Sequence, residues 1–150
     1  MKQKSIKLFL RISISIGFLS AVADRFGIWN ENVSAWGNWR SFLEYTQLIN
    51  PFIPESLISF IAIIATAGEV FLALCLIIVF KTEFMAKMSG YLLLLFAISM
   101  TFSTGLKGVL DYSVFIAAAG AFGLSTMKEK SLELDVILNQ KKLNKIQLCI

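Results

Sequence analysis

The chain has 150 residues, 57% of them hydrophobic and 16% charged, with a mean hydropathy of +0.73 and a formal net charge of +4. That length holds one domain, and that composition matches a lipid-embedded chain better than a water-soluble one, in which about a quarter of residues are charged. The absence of histidine excludes Ser-His-Asp hydrolysis and bis-histidine haem, and two cysteines, Cys75 and Cys149, cannot build a CxxC pair or a four-cysteine metal site. No metal site and no intrinsic cofactor are expected.

Four stretches approach the roughly twenty apolar residues needed to cross about 30 Å of hydrocarbon: 8–23, 57–80, 88–102 and 109–124. The first follows Lys2, Lys4 and Lys7 and ends in Ala21-Val22-Ala23, a pattern shared with cleavable secretory signals. Arg11 interrupts its apolar run, and Ser13, Gly17 and Ala21 fall four apart on one helical face, as in a helix kept for close packing. A retained span is therefore expected.

The next segment, from Phe26 to Glu55, holds all three tryptophans, Trp29, Trp36 and Trp39, with Phe42, Tyr45 and Phe52 nearby. This is the composition of an interfacial belt. Ser34 is a candidate cap for a short helix whose apolar positions include Trp36, Trp39 and Leu43. The segment reads as a helix on the outer membrane face, serving either as an anchor or as a lid over an outward-facing pocket.

Glu69 stands out in the second span. An acid at the centre of a spanning helix costs at least about 2.5 kcal/mol on insertion scales, so it should face the protein interior or water, or carry a proton. Ala62, Ala65, Thr66 and Ala73 share its face, and small residues there let another helix approach. If span one leaves the membrane near Asp24 and span two enters near Ser56, Arg11 and Glu69 each lie thirteen residues, about 20 Å, from the outer boundary. Arg11 is therefore the expected partner, as an ion pair that either specifies packing or takes part in chemistry.

Asp24 and Arg25 at the end of span one, and Lys107 and Asp111 around the Gly105/Gly108 turn between spans three and four, form a second charged group, with Tyr112 and Ser113 adding hydroxyls. They read either as interface markers or as holders of the polar head of an amphipathic ligand. Ser113, Ala117 and Ala121 offer a further small-residue face.

Residues 127–150 mix lysines with Leu132, Leu134, Val136, Ile137 and Leu138, fitting both strand alternation and a helix face. They read as a cytoplasmic tail following a membrane domain over residues 1–126. Eleven of the fourteen basic residues fall in the N-terminal flank, the connection after span two, and this tail, against Arg25, Arg40 and Lys107 on the other side. Both termini are thus expected to be cytoplasmic, and the positive charge is an orientation signal rather than a nucleic-acid footprint. The fold expected is all-α, an integral membrane four-helix up-down bundle with a short extracytoplasmic interfacial helix between spans one and two.

The stretch from Arg11 through Gly17-Phe18 to Asp24-Arg25-Phe26-Gly27, followed by Ala35-Trp36-Gly37-Asn38-Trp39, Tyr45-Thr46, Asn50-Pro51, Ala67-Gly68-Glu69 and Leu110 to Phe115, resembles the DoxX-like family of small four-helix bacterial membrane proteins. The resemblance covers about residues 5 to 125. It implies a bacterial cytoplasmic-membrane protein, with some relatives assigned to a thiosulfate:quinone oxidoreductase and others to membrane redox assemblies; the family's first-span arginine and second-span glutamate correspond to Arg11 and Glu69. The Asp-Arg-Phe-Gly exit is closer to a subgroup without the assigned thiosulfate chemistry.

No self-contained catalytic motif is present, so at most the chain would be one subunit of an oxidoreductase. Three functions follow: an accessory subunit binding a quinone beside a redox enzyme partner, a small proton-coupled transporter using Glu69, and a non-catalytic scaffold. The lipid bilayer is the common partner, and self-association into a homo-oligomer is compatible with each.

Overall fold

A computed structural model describes residues 3–128. Among these, six helices and no strand occur: α1 (Gln3–Arg25), α2 (Trp39–Ile49), α3 (Glu55–Ile77), α4 (Thr82–Thr104), α5 (Leu106–Asp111) and α6 (Val114–Ser125). The rest of the expected cytoplasmic tail, residues 129–150, lies outside the described residues. Helices α1, α3 and α4 have 23 residues each and are long and apolar enough to cross a membrane.

Helix α1 is polar on the inside. Its buried stripe runs Lys7, Arg11, Ser15, Phe18, Val22 and Arg25, at three- and four-residue spacing, while Leu8, Phe9, Ile12 and Ile16 face outward. A helix in water places its cations outward and its leucines inward. The inverted pattern fits an apolar surround, and Phe60, Ile63, Ile64, Phe71 and Leu74 on α3 and Leu95 and Ile98 on α4 are likewise exposed.

The predicted packing face of α1 is not the one used. Ser13 and Gly17 are exposed, and a Cβ at Gly17 would meet nothing within 4 Å. The long polar side chains of Lys7, Arg11 and Arg25 turn inward instead, because inside the protein they can find counter-charges that lipid cannot supply. Of the other expected small-residue face, Ala121 of α6 is buried but Ala117 and Ser113, the residue just before α6, are exposed; the buried set of α6 is Ala118, Ala121 and Leu124.

Residues of the fourth expected span, 109–124, are divided between α5 and α6. The break falls at Tyr112 and Ser113, where Ser113 takes a left-handed backbone conformation with φ of 56°. With 12 residues, α6 is about 18 Å long, short of a 30 Å core. It packs along α4, where Phe122 meets Tyr91 edge-on at 5.3 Å and fills the space left by Gly90.

Two apolar cores result. One gathers Phe18, Leu72, Ala73, Leu76, Met85 and Leu124 from α1, α3, α4 and α6. The other joins Ile49 of α2 to Ala97 and Met100 of α4 and Val109 of α5. Ser103 Oγ donates to the Ile49 carbonyl at 2.8 Å, tying the end of α2 to α4.

Helices α1 and α3 are out of step. Arg25, the last residue of α1, stands beside Thr66 and Glu69, the twelfth and fifteenth residues of α3. For antiparallel axes, α3 therefore projects roughly 17 Å past the end of α1. Helix α2 packs against α3 and α4, extending the protein beyond that end.

Candidate functional site

The buried carboxylate of Glu69 is met by a guanidinium from α1, and that guanidinium belongs to Arg25, not Arg11. Arg25 Nη2 donates to Glu69 Oε1 at 2.8 Å, and Nη1 lies 2.7 Å from Oε2. Nη1 also donates to Thr66 Oγ1 at 2.7 Å. The two charged residues are 3% and 1% exposed. Equal depth for Arg11 and Glu69 presumes that both helices meet the outer boundary at their ends, and the offset of α1 against α3 removes that premise. Arg11 is fourteen residues from Arg25, about 21 Å along α1, and shares its buried stripe with Lys7 and Ser15.

The small face of α3 explains how the pair fits. Ala62 and Ala73, a turn to either side of Thr66 and Glu69, are fully buried, so no bulky side chain keeps the end of α1 away. On the other side the guanidinium is covered by rings: its carbon lies 3.9 Å from the centre of Phe42 and 5.5 Å from that of Trp36. Such cation–π contacts gain strength where water is displaced.

Asp24 holds this cover in place. Its carboxylate accepts from the Ser34 hydroxyl and from the backbone N–H groups of Ala35 and Trp36, both at 3.0 Å. Ser34 is thus a tie to Asp24 rather than the helix cap; Asn38 caps α2, its side chain accepting from Ser41 N at 2.9 Å. The chain can fold back this closely because Gly27 has φ of +69° and sits against Gly37, whose carbonyl oxygen would be 2.8 Å from an added Cβ. The Asp24-Arg25-Phe26-Gly27 sequence thus supplies, in turn, the loop tie, the ion pair, a ring and a tight turn.

Aromatic contacts complete the layer. Trp36 packs against Phe42 and Tyr45, with ring centres 5.2 and 5.6 Å apart, and Phe26 stacks on Trp39 at 6.0 Å. Trp29 Nε1 donates to the Ser20 carbonyl at 3.1 Å, folding its loop onto α1. Burial, with the Tyr112 phenol nearby, raises the pKa of Tyr45 above its ordinary value, so this hydroxyl stays neutral.

The outer charges do not converge on one site. Asp24 and Arg25 are buried in the arrangement above, whereas Lys107 and Asp111 pair with each other one turn apart on the exposed side of α5. Tyr112 is largely exposed.

Beside the ion pair runs an open groove of about 490 Å³, lined by Phe26, Trp39, Ile63, Thr66, Ala67, Val70, Phe71 and Leu74. Its one hydroxyl is that of Thr66, the residue that accepts from Arg25, and Trp39 adds an indole ring with its N–H. Thr46, Thr101 and Thr104 each donate to the carbonyl four residues back, but among the described residues the Thr66 hydroxyl donates to none. A hydroxyl that accepts from a guanidinium keeps its own proton to offer. Sequence reasoning placed Thr66 on the Glu69 face but did not give it this role, and Phe42 was read only as part of the aromatic belt.

The described residues are thus all-α, with three helices long and apolar enough to span a membrane, an ion pair buried under aromatic rings, and an adjoining, largely apolar groove. Comparison with known protein families, curated proteins and solved structures finds no match.

Proposed function

We propose that this chain is a DoxX-like accessory subunit of a bacterial membrane redox system and that its groove holds the ring of a lipid-soluble quinone. The carrying observation is Thr66, whose hydroxyl proton is not donated to any of the described residues, which lines a largely apolar groove and which accepts from Arg25. A quinone carbonyl only accepts hydrogen bonds, so it suits that donor, and the apolar wall suits its ring and tail. Electrons would come from a partner subunit, since the quinone would be ligand rather than resident cofactor.

In this reading α5 and α6 act as one broken fourth span. Together residues 106–125 amount to twenty residues, or about 30 Å in line, which would complete an up-down bundle. Basic residues would place both termini in the cytoplasm and α2 on the outer side of the cytoplasmic membrane. The contacts of Glu69 weigh against the proton-coupled transporter, because both carboxylate oxygens lie within 2.8 Å of Arg25.

Tryptophan quenching in nanodiscs tests this, because Trp39 lines the groove. Titration with a short-chain naphthoquinone should give saturable quenching in the native protein, weakened at least about tenfold by Ala67→Phe, which fills the groove. Quenching that rises linearly and equally in both proteins would reflect partition into lipid and would refute quinone binding.

A further inference from the structure

We propose that the groove discriminates between the oxidation states of its ligand, holding a quinone in preference to the corresponding quinol, and that the Thr66 hydroxyl sets this selectivity. The selectivity rests on the quinone occupancy proposed above and concerns which form of the carrier the site takes. A quinone presents carbonyl oxygens, which only accept hydrogen bonds, whereas two electrons and two protons convert them into hydroxyls that also donate.

The wall of the groove is rich in donors relative to acceptors. Among the side chains that line it only Thr66 and Trp39 can hydrogen-bond, and an indole N–H donates without accepting. Thr66 is 7% exposed, and Arg25 Nη1, 2.7 Å from its Oγ1, donates into one of the two lone pairs of that oxygen. The guanidinium is itself fixed, between the Glu69 carboxylate and the Phe42 ring. Among the described residues, the Thr66 hydroxyl does not turn back to a helix carbonyl as those of Thr46, Thr101 and Thr104 do.

Counting protons separates the two forms. Against a quinone carbonyl, the Thr66 proton finds an acceptor and nothing is left over. Against a quinol hydroxyl, two protons share one contact, and whichever oxygen accepts, the other proton faces an apolar wall without a partner. An unmatched donor among apolar groups is costly, and a site built for one hydrogen-bond pattern rejects an analogue with another. Such a site loads the oxidised carrier and releases the reduced one, so the reaction it serves is one that delivers electrons to quinone.

Anaerobic titration in nanodiscs tests this with menadione and with menadiol made from it by dithionite, following tryptophan fluorescence. In the native protein the quinone should bind at least about tenfold more tightly than the quinol. Thr66→Val keeps the side-chain shape and controls for lipid partition; it should weaken menadione binding about tenfold and leave menadiol binding within about twofold. Thr66→Ser retains the hydroxyl and should keep the preference. The native ratio remains decisive if Thr66→Val impairs folding. Saturable binding of both forms with equal affinity, or a preference that survives Thr66→Val, would overturn the selectivity and leave quinone binding standing. A linear response to both forms would remove the quinone, and the selectivity with it.

Discussion

Arg25 and Glu69, 44 residues apart in the chain, meet through a 2.8 Å hydrogen bond and a 2.7 Å ion-pair contact at the point where α1 ends and α3 continues. This one contact sets the register of the two helices. It also anchors the loop after α1, because the residue preceding Arg25 ties Ala35 and Trp36, and Trp36 closes over the guanidinium.

The Asp24 tie should therefore be separable from the ion pair. Asp24→Asn removes the charge from three accepted hydrogen bonds, an expected loss of about 1.5–3 kcal/mol, while leaving Arg25 and Glu69 chemically intact. Hydrogen exchange checks this directly: the Ala35 and Trp36 amides should lose protection before those of α3. Ser34→Ala removes one neutral donor and should have a smaller effect.

Two glycines should respond oppositely. A Cβ at Gly90 would lie 2.8–3.0 Å from three atoms of the Phe122 ring, so Gly90→Ala must push α6 from α4 and should cost about 1–3 kcal/mol. Phe122→Leu in the same chain should recover part of that loss. Gly17→Ala meets nothing within 4 Å and should leave stability unchanged or raise it by up to about 1 kcal/mol, since alanine favours the helix. Thermal unfolding in detergent checks both.

The exposed Lys107–Asp111 pair should contribute little. Its side chains are 86% and 59% exposed, and such pairs are worth about 1 kcal/mol or less. Lys107→Ala should leave the melting temperature almost unchanged and naphthoquinone quenching at its native value, which separates this pair from the Arg25 site.

Much of this was legible in the sequence at the level of single elements. Apolar length revealed α1, α3 and α4, and the cost of burying an acid singled out Glu69, whose alanine face was also readable from spacing. Choosing the partner was a different problem. Arg11 and Arg25 lie on the same stripe of α1, so helical periodicity cannot choose between them, and depth arithmetic fails when one helix overruns another. The offset depends on α2 and the Asp24-tied loop, which are held by contacts among distant residues. The break at Ser113 was hidden because Val109 and Leu110 before it and Val114, Phe115 and Ile116 after it keep the stretch apolar on average, and nothing local in the sequence marks the left-handed turn. Ser34 reads as the cap of α2 in the sequence, but Asn38 carries the same capping chemistry, and only tertiary contacts assign Ser34 to Asp24 and Asn38 to the helix.

A double-mutant cycle on unfolding free energy tests the central claim most directly. Arg25→Gln and Glu69→Gln should each cost about 3–5 kcal/mol by leaving a buried partner unmatched, and the double variant should lose less than their sum by at least about 1.5 kcal/mol. Additive losses within about 0.5 kcal/mol, together with coupling between Arg11→Gln and Glu69→Gln, would contradict it.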